Sequence, residues 1–263
     1  MSTALCHGVE LYYELLGDGP KLLYCNSSGA TLDGVRPLLG MLATRFDVLA
    51  FDYRGIGASA PATEPYTMGA IAADVAGLLD VVGWERTALV GWSFGGMVAQ
   101  EFAVTFPDRV ARLALLATSP GGAFASYPLD QLGDLPGDER ATRLLRLADT
   151  RWTAEWLSAH PDQAALAAGF AAEHNGELTE AQALGRLLQL QARKGHDVLD
   201  RLHRVSCPTW VGCGRYDEIA PVLNGRAIVD RTPNATLHVY DGGHLFLAQD
   251  PAAWPDLAEF LTI

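Results

Sequence analysis

A serine lies between two glycine positions in the stretch Leu89-Val90-Gly91-Trp92-Ser93-Phe94-Gly95-Gly96. The preceding residues, 87–90, form an apolar run typical of a buried strand, and residues 97–103 have the spacing of a helix that Pro107 ends. A strand that turns sharply into a helix needs glycines on both sides of the turn, because the two elements approach closely there. The stretch therefore predicts a nucleophile elbow that presents the hydroxyl of Ser93.

Short apolar runs alternate with helix-like stretches along the chain. Residues 9–15 alternate apolar and polar side chains before Gly17-Asp18-Gly19-Pro20, which predicts an antiparallel edge strand and a turn. Near-continuous apolar runs predict parallel strands buried on both faces, at 21–25, 47–51, 87–90, 110–117, 209–213 and 236–240. Helical spacing occurs at 68–82, 222–230 and 251–261. This order indicates an α/β fold with a mostly parallel, doubly wound sheet.

The strand signals are interrupted once, by a stretch rich in Ala, Leu and Arg with helical spacing. We expect residues 1–118 and 203–263 to form one core, and residues 119–202 to be a helical cap inserted in it. Two aromatic residues near the start of the cap, Phe124 and Tyr127, either line a pocket beneath the cap or fill the seam between cap and core.

Charge and hydropathy limit the function classes. The 263 residues carry a formal net charge of −12 with 19 Lys and Arg, so we expect no binding to nucleic acid or to a membrane surface, both of which need clustered positive charge. No secretory leader pattern and no apolar run near the roughly 20 residues of a membrane span are visible. The four cysteines lack C-x-x-C spacing, which predicts reduced thiols. We therefore expect a cytoplasmic protein without a metal or another cofactor.

A serine hydroxyl needs a base, and the base needs an acid that fixes its tautomer. Enzymes with this elbow place them along the chain in the order Ser, Asp or Glu, His. Asp217 directly follows the predicted strand 209–213, and His244 lies in a glycine-flanked loop after the next strand. The carboxyl ends of parallel strands meet at one edge of a sheet, so we expect Ser93, Asp217 and His244 to form a catalytic triad.

Other residues could take these two roles. Glu218 is the neighbour of Asp217, and Asp241 lies three residues before His244. Taken singly, Asp217 could be a turn or capping residue and His244 a surface histidine, but the order and the two strand edges together favour the triad. The remaining histidines are weaker candidates, because each lies before the first strand, inside a strand, or in or beside the cap. They are His7, His160, His174, His196, His203 and His238.

A tetrahedral intermediate needs two backbone N–H donors for its oxyanion. The residue after the nucleophile, Phe94, supplies one. The loop of residues 25–30, Cys25-Asn26-Ser27-Ser28-Gly29-Ala30, would supply the other, because its small residues allow close approach. By position we select Ser28, with Ser27 next; the alternative is a plain turn between a strand and a helix. Trp92 flanks the nucleophile and either lines the substrate pocket or packs under the sheet.

With these features, the chain resembles the α/β-hydrolase superfamily over essentially its full length. The run Phe51-Asp52-Tyr53-Arg54-Gly55-Ile56-Gly57-Ala58-Ser59 is similar to the D-x-R-G-x-G-x-S turn of that superfamily, and the resemblance gives Asp52 and Arg54 a structural role. Asn26-Ser27-Ser28-Gly29 replaces the His-Gly of many members and is similar to the Asn-Ser-x-Gly run of 3-oxoadipate enol-lactone hydrolases. The resemblance implies a cofactor-free serine hydrolase of carboxylic esters or lactones that forms an acyl-enzyme.

The residue types at a few positions argue against some enzyme classes of this superfamily and are compatible with others. Haloalkane dehalogenases have Asp, and dienelactone-type hydrolases have Cys, at the position of Ser93. Cofactor-free haloperoxidases and C–C bond hydrolases share the serine triad, although the former tend to have a proline that loop 26–30 lacks. A small-molecule receptor on this fold is the alternative from another class, and it usually lacks part of the triad. We expect a small-molecule ester or lactone as the partner, and a homodimer remains open.

Overall fold

The computed structural model describes residues 2–176 and 178–262, with side chains for all of these except residues 134 and 173–175. Within this part of the chain, eight strands form a sheet of order β1-β2-β4-β3-β5-β6-β7-β8. β2 pairs antiparallel with β1 and β4, and the other neighbours are parallel. The strands are β1 (Ser2–Cys6), β2 (Val9–Leu16), β3 (Lys21–Cys25), β4 (Asp47–Phe51), β5 (Thr87–Trp92), β6 (Val110–Leu116), β7 (Thr209–Gly214) and β8 (Ala235–Tyr240).

Helices cover both faces of this sheet. Successive residues of its buried strands point to opposite sides and are apolar, so both faces need a covering layer. Leu22 belongs to the apolar layer under α1 and α10, whereas Leu23 belongs to the layer under α2 and α3. The mostly parallel, doubly wound α/β fold is thus confirmed. The helices are α1 (Arg36–Ala43), α2 (Met68–Val81), α3 (Phe94–Thr105), α4 (Gly137–Ala148), α5 (Ala154–Ala159), α6 (Pro161–Asn175), α7 (Glu180–Lys194), α8 (Val222–Val229), α9 (Phe246–Gln249) and α10 (Ala253–Thr262).

The prediction of an edge strand at residues 9–15 was wrong. β2 lies inside the sheet, and the edge is β1, which a two-residue hairpin joins to it. His7 and Gly8 in this turn both have positive φ, 48° and 83°, as a type I′ turn requires. His-Gly is a weaker turn signal than Asn-Gly, and β1 has few apolar residues, so the sequence pattern did not reveal it.

The segment between β6 and β7, residues 117–208, contains α4 to α7; we call it the helical connection. It has an apolar cluster of its own, in which Leu147 of α4 packs with Trp152 and Phe170. Ile219, from the loop after β7, joins this cluster. The helical connection is therefore anchored on a loop at the carboxyl edge of the sheet. The predicted domain bounds also include residues 1, 177 and 263, which lie outside the described residues.

None of the helices in the described part of the chain is both long and apolar enough to cross a membrane.

Candidate active site

Ser93 occupies a strained turn between β5 and α3. Its φ of 55° and ψ of −115° lie in a region that residues other than glycine rarely adopt. Two hydrogen bonds hold this backbone: the Ser93 N–H donates to the Leu116 carbonyl at 2.8 Å, and the Thr118 hydroxyl donates to the Ser93 carbonyl at 2.7 Å. The end of β6 and the residues after it thus fix the conformation that the sequence motif predicts.

Three glycines permit this turn because their neighbours leave no space for a side chain. A Cβ on Gly91 would collide with the backbone of Gly95, and a Cβ on Gly95 would collide with the carbonyl of Cys25. A Cβ on Gly96 would collide with the side chain of Thr118. The start of α3 therefore lies directly against β3 and β5, and glycine is required by close packing.

His244 and Asp217 are hydrogen-bonded to each other. The distance from His244 Nδ1 to Asp217 Oδ2 is 2.8 Å, and both side chains are buried. The other carboxylate oxygen, Asp217 Oδ1, accepts from the N–H groups of Ile219 at 2.8 Å and Ala220 at 2.9 Å. These three bonds fix the carboxylate. An Nδ1–H donated to it leaves the lone pair of a neutral imidazole on Nε2, as a general base requires.

The two rival carboxylates have other surroundings. The side chain of Glu218 is exposed, and its backbone N–H donates to the Leu147 carbonyl at 2.9 Å. Asp241 is also exposed, and its carboxylate lies 3.4 Å from the guanidinium of Arg151. Of the other histidines, His174 has a side chain outside the described part of the structure.

Ser93 and His244 line the same cavity, which has a volume of about 220 Å³. Trp92 is also in its wall, and the indole N–H of Trp92 donates to the His244 carbonyl at 3.1 Å. Most of the remaining wall is apolar, which suits an uncharged acyl or alcohol group. The apolar residues of the wall are Val35, Pro37, Leu38, Leu129, Leu144, Phe170, Ile219 and Leu245.

Phe124 and Tyr127 are not among the described residues that line this cavity. The Phe124 ring faces the guanidinium of Arg231 at 5.7 Å, and its carbonyl accepts a hydrogen bond from the side chain of Asn224. The Tyr127 N–H donates to the Ile219 carbonyl at 2.8 Å. These contacts join the helical connection to the core, and they favour the seam over the pocket for both aromatic residues.

The loop after β3 reaches the same cavity through Ser27 and Ser28. The Ser27 N–H donates to Asn26 Oδ1 at 2.9 Å, and the Gly29 N–H donates to Gln189 Oε1 at 2.6 Å. Among the described residues, no acceptor is bonded to the Ser28 N–H. The amide of Phe94 begins α3, where the helix itself offers no acceptor. Ser28 and Phe94 thus leave backbone donors for a ligand.

The glycine-rich turn after β4 packs beside this loop. Asp52 accepts hydrogen bonds from the N–H groups of Leu32 at 2.8 Å and Ala58 at 2.9 Å. Arg54 forms an ion pair with the buried Asp74 at 2.6 Å. Asp52 and Arg54 therefore make structural contacts, as the family resemblance implies.

The cysteines offer no rival nucleophile near Ser93. All four are buried and free. Burial raises the pKa of the Cys25 and Cys213 thiols to about 12, so both are protonated at neutral pH. Within the described residues, no group of three or more His, Cys, Asp or Glu side chains is placed to hold a metal ion.

Sequence reasoning missed the contacts between α4 and the two loops that carry Asp217 and His244. The Ala148 carbonyl accepts from the His244 N–H at 2.6 Å. The next residue, Asp149, is fully buried and accepts from Gln249 Nε2 at 2.8 Å, while Gln249 Oε1 accepts from the Gly243 N–H at 2.7 Å. No local motif marks these residues, because their partners lie far away in the sequence.

Residues 20–251 match the model of the α/β-hydrolase fold family, and the chain belongs to this family. A poly(3-hydroxyalkanoate) depolymerase of Ectopseudomonas oleovorans is 31% identical over 244 residues, which cover 91% of this chain and 83% of that protein. The 3-oxoadipate enol-lactonase 2 of Acinetobacter baylyi is 25% identical, with 98% of this chain and 94% of that protein covered. The crystal structure of an enol-lactonase from Burkholderia xenovorans has a TM-score of 0.81 and 24% identity, with 100% of both chains covered. The predicted superfamily is confirmed, and these relatives are hydrolases.

Proposed function

We propose that the protein is a cofactor-free serine hydrolase of carboxylic esters or lactones. The observation that carries this proposal is the shared cavity of Ser93 and His244, with the imidazole bonded to the buried Asp217. A serine at a strained elbow, a base and an orienting carboxylate are the three groups that acyl transfer to a hydroxyl needs.

In this mechanism, Ser93 Oγ attacks the acyl carbon while His244 accepts the hydroxyl proton. The amides of Ser28 and Phe94 donate to the oxyanion, and each such donor typically lowers the barrier by roughly 3 kcal/mol. His244 then gives its proton to the leaving oxygen, and Asp217 stabilises the imidazolium in between. A water molecule, activated by the same base, attacks the acyl-enzyme and releases the acid.

Two further observations support an ester or lactone as the substrate. The cavity of about 220 Å³ has a largely apolar wall, which suits a small uncharged group at the reacting centre. A poly(3-hydroxyalkanoate) depolymerase and an enol-lactonase are among the similar proteins, and both names fit this reaction type.

The proposal includes the division into a core and a cap that the sequence predicts. In this proposal, residues 119–202 cover a core formed by residues 1–118 and 203–263, and they close the cavity over Ser93. Leu144 of α4 and Phe170 of α6 contribute to the cavity wall, as a cap should. The expected cytoplasmic location and a homodimer stay predictions from the sequence.

Hydrolysis of p-nitrophenyl esters, from acetate to octanoate, and of simple lactones tests the proposal. Wild type should turn over at least one of these substrates, and Ser93→Ala should lose that turnover. Ser158→Ala, on the exposed surface of α5, is a matched control that should retain it. A phosphonate probe should label the wild type with one equivalent and leave Ser93→Ala unlabelled.

Other outcomes would favour the alternatives. Labelling of Ser93 without turnover of any ester would favour perhydrolysis, which peroxide plus acetate tests, or cleavage of C–C bonds. A folded wild type that neither labels nor hydrolyses any substrate would contradict the hydrolase and favour a small-molecule binding protein on this fold.

A further inference from the structure

A second chamber adjoins the cavity that contains Ser93. Its volume is about 230 Å³, and Ser28, Leu129 and Leu144 form part of the wall of both spaces. Ser28 carries the amide that we assign to the oxyanion, so the two spaces meet at the proposed reacting centre. A substrate can therefore place its acyl carbon beside Ser93 and extend another part into the second chamber.

Two arginines of the second chamber have no acidic partner among the described residues. Arg140 of α4 and Arg186 of α7 both line it and are both partly buried. Neither guanidinium forms an ion pair within the described residues. The carboxylate of Asp130 also lies in the wall, 3.9 Å from the ammonium group of Lys194. Among the described residues of the wall, two arginines and one aspartate leave an excess of positive charge, in a chain whose net charge is −12.

The side-chain amide of Gln189 is a further unpaired donor in this region. Gln189 of α7 lines the second chamber and is 1% exposed. Its Oε1 accepts from the Gly29 N–H at 2.6 Å, but its Nε2 has no hydrogen-bond partner among the described residues. A buried amide donor without an acceptor costs free energy of folding. We therefore expect a ligand atom or a water molecule to accept a hydrogen bond from Nε2. Two guanidiniums thus line the second chamber, and its wall also contains one buried amide group whose donor is unpaired.

We propose that the second chamber binds a carboxylate of the substrate, which is an ester or lactone that carries this carboxylate away from the scissile bond. This proposal rests on the hydrolase function proposed above and names its substrate class. Guanidinium groups bind carboxylates through paired hydrogen bonds, and a shift of the Gln189 side chain would let its unpaired Nε2 donate to the same group. Gln189 and Arg186 also contact Gly29, so the bound carboxylate and the Ser28 amide are held by one structural unit.

Such a site should lower the KM of a substrate that carries the carboxylate, compared with the same substrate without it. The carboxylate stays bound to the arginines in both the ground state and the transition state, so its binding energy is uniform and does not change kcat. Hydrogen bonds to a charged group, discounted for partial exposure, predict a preference of about tenfold in kcat/KM. Added salt should reduce this preference, because it screens the attraction between partly exposed charges.

Paired substrates isolate the carboxylate. We would measure initial hydrolysis rates for the monomethyl and dimethyl esters of linear dicarboxylic acids from succinate to suberate. The two members of a pair have one scissile bond type and differ in one charge. For wild type, we expect kcat/KM of the best monomethyl ester to exceed that of its dimethyl ester by about tenfold, through KM.

Three variants test the residues. The measured quantity is the ratio of kcat/KM for the monomethyl ester to kcat/KM for the dimethyl ester. In the double variant Arg140→Gln with Arg186→Gln, this ratio should fall close to one. Gln189→Glu keeps an oxygen that can accept from Gly29 but puts a negative charge in the second chamber, so the ratio should fall below one. Arg143→Gln, on the exposed face of α4 and outside the wall, should keep the wild-type ratio. A merely structural role for these residues would lower both rates and leave the ratio unchanged.

The outcomes separate the two proposals. Ser93-dependent hydrolysis with equal rates for both members of every pair would overturn the carboxylate site and leave the hydrolase standing. If no ester is hydrolysed, calorimetric titration of Ser93→Ala with each pair decides the carboxylate site alone. Binding of the monomethyl ester that the double arginine variant abolishes would support the site, and equal or undetectable binding of both esters would overturn it.

Discussion

The backbone N–H of His244 donates a hydrogen bond to the carbonyl of Ala148 at 2.6 Å, so the last turn of α4 holds the loop of the proposed catalytic base. The adjacent Asp149 reinforces this contact. Its carboxylate binds the Arg151 guanidinium at 2.7 Å, and Arg151 lies over the ring of Tyr216 at 4.1 Å, next to Asp217. One buried carboxylate thus supports both loops of the proposed triad.

Asp149→Ala should reduce both stability and turnover. The change leaves Arg151 and Gln249 without their buried acceptor, and breaking a buried pair in this way costs about 3 kcal/mol of unfolding free energy. Movement of the His244 loop should lower kcat at least about tenfold with little change in KM. Urea unfolding and steady-state kinetics measure the two effects.

The exposed Asp241 is the control for Asp149, since it also lies near Arg151. Asp241→Asn should change the unfolding free energy by less than about 1 kcal/mol. A folded Asp149→Ala protein with the wild-type kcat would show that Asp149 has no positioning role.

Asp217→Asn should lower kcat by about 10⁴-fold while the protein stays folded. An asparagine can donate to Nδ1 and so select the wrong imidazole tautomer, as it does in other serine triads. Glu218→Gln alters a neighbouring exposed side chain and should retain wild-type kinetics. Stopped-flow measurement with an activated ester would show whether acylation is the step affected. An Asp217→Asn protein within tenfold of wild type would remove Asp217 from the triad.

Gly95→Ala should destabilise the fold by at least about 3 kcal/mol, because the new Cβ would overlap the backbone carbonyl of Cys25, which cannot move aside cheaply. Gly40→Ala is the matched comparison. Gly40 lies inside α1 and has no atoms within 4 Å of an added Cβ, so alanine should stabilise the helix by about 0.5–1 kcal/mol. Urea unfolding of both variants checks the opposite signs, and equal effects would contradict this explanation.

His196 should make the fold sensitive to acid. Burial lowers its pKa to about 4, below the value of about 6.5 for an unfolded histidine. The unfolded chain therefore takes up the proton first as the pH falls, and stability is lost between about pH 6.5 and 4. Between pH 7 and pH 5 the loss assigned to His196 is about 2 kcal/mol.

His196→Gln should remove this share of the pH dependence, as seen by urea unfolding at several pH values. The exposed His203 provides a control variant, His203→Gln, whose curve should run parallel to that of wild type. A His196→Gln curve that also runs parallel to wild type would show that His196 takes no part in acid sensitivity.

The sequence predicted those parts of the molecule that depend on local pattern. The apolar runs at residues 21–25 and 47–51 have the bounds of β3 and β4, because both strands are buried on two faces and show unbroken hydrophobicity. The elbow could also be predicted, because its three glycines and its serine stand together in one short motif, although two of the contacts that require glycine are with Cys25 of β3 and with Thr118 after β6.

The remaining features depend on contacts between distant residues and left no local signal. Arg140 and Arg186 come from different helices, and only the packing of α4 and α7 places them in one chamber. The role of Phe124 was ambiguous for the same reason, because Arg231 and Asn224 belong to the other half of the core.

The bond from Ala148 to His244 also bears on how the protein could be redesigned or could diverge. Residues on α4 help form the wall around the proposed reacting centre, and the end of the same helix supports the base. Exchange of the helical connection with that of a relative would therefore replace the pocket and the support of the base together. In this scaffold the pocket wall and the support of His244 therefore change together. Chimeras that are designed only to accept new substrates must preserve the last turn of α4.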